Sequence, residues 1–122
     1  MATEFIRKTM ADVPTSAVPN TSNANNDLYT AGANTDSVII GLLLTNKSGA
    51  SITADVMIEV QSGQGEDVYL VKGAQVPVGS ALEVISGKVV VANTGGGTGD
   101  TLQVRCDTAS ALDATDSILE NT

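Results

Sequence analysis

The sequence predicts an all-β domain, a small antiparallel β-sandwich preceded by an extended N-terminal arm. Two observations carry that expectation. From Ser37 onward, short runs of Val, Ile, Leu and Ala alternate with a two-residue period, and glycine-rich turns interrupt them at near-regular intervals. A third observation limits the core. Phe5, Tyr29 and Tyr69 are the aromatic residues of the 122, so burial must come from small aliphatic side chains, each contributing modest area at roughly 25 cal/mol per Å². One thin core, reinforced by association between copies, is the natural solution for a chain of this length.

Residues 1–36 read as the arm and residues 37–122 as the sandwich. The arm is rich in Asn, Ser, Thr and Gly, whose side chains compete with regular backbone pairing, and Pro14 and Pro19 interrupt either kind of element. Phe5, Ile6 and Met10 give it an apolar tip, expected to pack on the main domain or on a neighbouring subunit. Leu28 and Tyr29 suit a short entry strand.

In SVIIGLLLTN, strict alternation places Val38, Ile40, Leu42 and Leu44 on one face and Ile39 and Leu43 on the other. Both faces are apolar, as in a central strand. TADVMIEVQ alternates most cleanly, with Ala54, Val56, Ile58 and Val60 inward and Asp55, Met57, Glu59 and Gln61 on a mostly wet face. VYLVKGAQV follows the SGQGED turn, Pro77 and Gly79 bound a bend, and ALEVISG and KVVVANT form two short strands connected around Ser86 and Gly87.

GGGTGD, from Gly95 to Asp100, reads as a mobile tip free to meet a partner. TLQVRCD directs Leu102, Val104 and Cys106 inward. The closing strand, LDATDSILE, puts Asp116 in phase with Leu112, Ala114 and Ile118, so either a bulge shifts the register or an interface donor satisfies a buried carboxyl. About seven or eight strands result, enough for two facing sheets in a jelly-roll or Ig-like arrangement.

The formal charge of −8 leaves no footprint for tight binding to nucleic acid or to an anionic membrane, and Arg7 with Lys8 is a local exception, read as a solvated terminus in preference to a contact with an acidic partner. No stretch approaches the ~18 apolar residues of a membrane span, and MATEFIRKTM has no apolar core of a secretory signal. With no histidine and one cysteine, Cys106, imidazole bases, Ser-His-acid triads, CxxC pairs, zinc sites that use His and four-cysteine metal sites are excluded, and Cys106 reads as a buried thiol. Carboxylates Glu66, Asp67 and Asp100 lie in glycine-bearing turns that hold them too loosely for catalysis, and Asp100, Asp113 and Asp116 lack the spacing of a calcium loop. GGGTGD lacks the lysine of a phosphate loop. No enzyme activity and no cofactor are expected. Ile39, Leu43 and Met57, opposite the cleaner core stripes, read either as a subunit interface or as surface covered by the arm or by a second sheet.

Several motifs together resemble a family of small β-sandwich structural proteins of tailed bacteriophages: the turn at Thr45 and Asn46, Tyr69 to Lys72, Pro77 to Ser80, the hairpin at Gly87 and Lys88, and the strand entrance Gly99 to Leu102. The resemblance spans roughly residues 35–120 and leaves the arm outside it. It implies a homo-oligomeric virion component of capsid, neck or tail, assembled in the host cytoplasm. Its partners would be the major capsid, portal-proximal or tail proteins. It implies scaffold roles for Leu70, Pro77, Leu82, Leu102 and Val104, and Asp116 departs from its pattern. The alternative is a virion-displayed binding module, an adhesin or carbohydrate-recognition domain, which the scarcity of aromatic platforms disfavours. A bacterial accessory or secretion-system component has similar physics.

Overall fold

A computed structural model describes residues 3–20, 24–61, 63–85, 87–94 and 98–121. Its strands are β1 (Thr3–Met10), β2 (Asp27–Thr30), β3 (Thr35–Asn46), β4 (Ile52–Glu59), β5 (Val68–Val76), β6 (Ala81–Ile85), β7 (Val89–Asn93), β8 (Thr101–Cys106) and β9 (Leu112–Asn121). One sheet, A, runs β1-β9-β3-β6, with β7 also on β3, and the other, B, runs β2-β8-β4-β5. All pairings are antiparallel.

The pairs are nested. β4 pairs β5, β3 pairs β6 and β7, β2 pairs β8, and β1 pairs β9, so the chain is one long hairpin rolled into a two-sheet jelly roll. This order differs from the immunoglobulin arrangement. Between the sheets lies an aliphatic core that includes Ile39, Leu42, Leu44, Val56, Leu102, Val104 and Ile118, and Cys106 is buried within it.

Part of the stretch read as an arm is laid into the sheets. β1 pairs β9 over its whole length, and β2 pairs β8, so the sandwich draws strands from before residue 37. The described residues between them form a strap over the outer face of sheet B. There Arg105 Nε donates to the Thr15 carbonyl at 3.0 Å, Tyr69 Oη to the Val18 carbonyl at 3.1 Å, and Gln103 Nε2 to the Asn20 carbonyl at 3.0 Å. Buried Asn26 fastens the far end of the strap, its Nδ2 donating to the carbonyls of Ser16 at 3.1 Å and Val104 at 2.9 Å.

Strict alternation fails in β3. A register shift between Ile39 and Gly41 switches the parity of the strand. Ser37 and Ile39 point inward before it, Leu42, Leu44 and Asn46 after it, while Ile40 and Leu43 are exposed. Such a bulge opposes two residues to one, so both halves of the strand bury apolar side chains despite their opposite phases. The predicted hairpin at Gly87 and Lys88 is not one: β6 and β7 do not pair with each other but follow end to end along β3, broken opposite the bulge. Ser86 and the tip Gly95 to Gly97 lie outside the described residues.

The turn after β3 is held by buried Asn46, whose Nδ2 donates to the Ala50 and Val76 carbonyls at 2.8 and 2.9 Å and whose Oδ1 accepts from the Ser48 N–H at 2.8 Å. An amide side chain of this kind replaces the backbone partners that a turn leaves unpaired.

Candidate functional site

The two outer faces differ. Sheet B is covered by the strap, and the buried Met57 sits between its register partners Gln103 and Tyr69, both hydrogen-bonded to that strap. Met57 is therefore sheltered by its own chain and offers nothing to a neighbour. Ile39 is fully buried as well, because the β3 bulge turns it into the core. The interface reading fails for both residues.

The outer face of sheet A carries no such cover among the described residues. Directly opposed residues of antiparallel strands share a face, so the register Phe5–Leu119–Val38–Val90 is a single apolar row across β1, β9, β3 and β7. Its ends are the most exposed large apolar side chains: Phe5 is 77% and Val90 62% exposed. Ile40 and Leu43, each about two-fifths exposed, extend it past the bulge. There, Gly41 has no side chain and leaves a hollow of about 290 Å³ walled by Ile40, Leu43, Glu83, Thr115 and Ser117.

Ile6 and Met10, half-buried, lie on the opposite side of β1 and pair with Ile118 and Ala114. They line the flank of the sandwich where β1 and β2 form neighbouring sheet edges. A cleft of about 590 Å³ opens there, bordered by Ile6, Lys8, Asp27, Tyr29 and Glu120. Within it the Tyr29 hydroxyl contacts Ser37 Oγ at 2.6 Å and donates to the Glu120 carboxylate. Burial, then the bond to Glu120, pushes the phenol up to about 12, so it is a fixed donor rather than a nucleophile.

Behind this cleft, Asp116 is wholly buried, and neither carboxylate oxygen has a hydrogen-bond partner among the described residues. No bulge in β9 rescues it, since its register with β1 is continuous and the shift lies in β3. Burial alone pushes its pKa up to about 7.

Several other acids, Asp67 and Asp100 among them, are structural acceptors. Asp100 takes the N–H groups of Gln61 at 2.7 Å and Ala92 at 3.1 Å, Asp67 takes that of Val60 at 2.7 Å, and Asp113 with Asp12 holds Lys47. The Lys47 ammonium lowers the Asp113 carboxyl below its ordinary value. No group of three or more candidate metal ligands exists among the described residues.

Compared with known proteins, the chain matches no family model and no curated protein. The arrangement of its own residues leaves an apolar row exposed on the outer face of sheet A. Sequence reasoning flagged Phe5 and Leu43 but missed Val38, Val90 and Leu119, whose alignment appears only once the strand register is fixed.

Proposed function

We propose that this chain is a non-enzymatic structural protein of a tailed-phage particle, homo-oligomeric and stabilising capsid, neck or tail through contacts between subunits. The observation that carries the reading is the uncovered apolar row on sheet A, beside a sheet B that the chain covers with its own strap. Bare apolar surface of this kind favours association, and a thin aliphatic core gains from it. The jelly-roll order supports the reading because that architecture recurs in capsid proteins, though it also serves lectins and other domains. The resemblance of the turns at Thr45–Asn46 and Pro77–Ser80 to those of phage sandwich proteins points the same way, although the hairpin expected at Gly87 and Lys88 is not formed.

The test is compositional. Particles purified from lysates of cells carrying the gene should contain the chain at fixed, many-copy stoichiometry by quantitative mass spectrometry, and its absence from particles would sink the reading. The double variant Phe5→Asp with Val90→Asp should melt as the parent does, because both residues are exposed, while its incorporation falls about tenfold or more. Unchanged incorporation would show that the row is not the docking face.

A further inference from the structure

Strand β1 is an open sheet edge of an unusual kind. Other edges are blunted: β2 has four residues and a register shift, β6 and β7 have five each, and β5 slips register with β4 twice and bends at Gly73, where φ is 64°. β1 runs eight residues in unbroken register with β9, contains no proline, and has no strand paired to its other side among the described residues. An edge like this is a template for another strand.

Its sequence, TEFIRKTM, is complementary to itself in one register. Antiparallel pairing about a two-fold axis perpendicular to the sheet joins each residue to its mirror position in the other copy, on the same face. Centred on Ile6, that register sets Glu4 against the partner's Lys8, Phe5 against the partner's Arg7, Ile6 against the partner's Ile6 and Thr3 against the partner's Thr9. The first is an ion pair, the second a cation over an aromatic face, and both occur twice by symmetry. Centring on Phe5 sets Glu4 against Ile6, and centring on Arg7 sets two guanidinium groups together. Neither makes an ion pair.

Among the described residues neither Glu4, Arg7 nor Lys8 has an ion-pair partner, and Glu4 sits directly across from Glu120, a like-charge opposition. A cation on the free side of Glu4 relieves it.

We propose that two copies of this chain join β1 to β1, antiparallel about a two-fold axis through Ile6, making one continuous sheet in which Glu4 of each copy faces Lys8 of the other. This rests on the reading of the chain as self-assembling and names the contact. The pairing also brings the two flank clefts together and extends the apolar row into a band spanning both copies.

Charge reversal tests it on the full-length chain. By sedimentation equilibrium, the parent should show a mass twice the 12.4 kDa of one chain. Glu4→Lys alone and Lys8→Glu alone each turn two attractions into two repulsions and should weaken the dimer about tenfold or more. Glu4→Lys with Lys8→Glu should restore it. The double variant carries whatever each change does to the fold, so recovered mass isolates the contact between copies. A parent that stays monomeric at high concentration, single variants that associate like the parent, or a double variant no better than the singles would each overturn the proposal. Any of these found together with normal abundance in purified particles would leave the structural-protein reading standing, whereas a dimer missing from particles would remove that reading and keep the contact.

Discussion

Replacing Asp116 with Val is expected to stabilise the protein by about 3 kcal/mol more at pH 8 than at pH 5, raising its melting temperature by on the order of 10 °C more at the higher pH. Asp116 lies on β9 with Ala114 and Ile118 as inward neighbours and Leu42 opposite on β3, all buried. Its register partner on β1, Lys8, is exposed and makes no ion pair with it among the described residues. From sheet B the polar group that feels its charge is Tyr29, whose proton is committed to Glu120. Among the described residues no group hydrogen-bonds the carboxylate, so burial holds the proton on to about pH 7.

The sign follows from linkage. Unfolded, this carboxyl titrates at its ordinary value of 3.8, and folded at about 7, so between those values the native state binds the extra proton. Stability is then highest below the unfolded value and declines as pH rises to the folded one, at about 1.4 kcal/mol per unit. Glu59, raised by burial and by the charges of Asp67 and Asp27, acts in the same direction. Asp113 and Asp107 are lowered, by Lys47 and by the Thr53 N–H respectively, and lose their contribution only in stronger acid. Urea titrations at pH 5, 6, 7 and 8 should show a falling parent and a nearly level Asp116→Val. A parent equally stable at pH 5 and pH 8 would contradict the buried, unpartnered carboxyl.

The strands with one polar face were legible in the sequence. Leu102, Val104 and Cys106 stand inward in β8 as their alternation requires, and the inner stripe of β4 is where its pattern places it. β3 misled because Val38, Ile39 and Ile40 are all apolar, so no polar residue disclosed the change of parity. Gly41 was the local sign of it. Met57 misled for a different reason: the strap that covers it binds largely through backbone carbonyls, which leave no mark in a string of side chains. Asp116 was legible as a conflict, and the structure leaves that conflict in place rather than resolving it in β9. The apolar row needed cross-strand register, and the self-complementarity of β1 needed the knowledge that β1 is an edge.

Gly99→Ala should be the most damaging single-methyl addition among the described glycines, costing about 3 kcal/mol. A Cβ at Gly99 would stand 2.5 Å from the Ala31 carbonyl oxygen and 2.8 Å from Asn93 Cβ, and the first of these is backbone. Ala31 follows β2 of sheet B and Asn93 ends β7 of sheet A, so Gly99 sits at a seam between the sheets, where both neighbours are almost wholly buried. Moving aside would also pull on Asp100. Its N–H donates to the Ala92 carbonyl at 3.0 Å, its carbonyl accepts from the Ala31 N–H at 3.1 Å, and its carboxylate holds Gln61 and Ala92. The seam therefore cannot yield at one point alone. Gly41→Ala is the matched control, since open space surrounds its Cβ position, and it should change stability by less than about 1 kcal/mol. If urea unfolding finds the two alanine variants equally stable, the end of the GGGTGD segment is the loose tip its composition suggests rather than a packed joint.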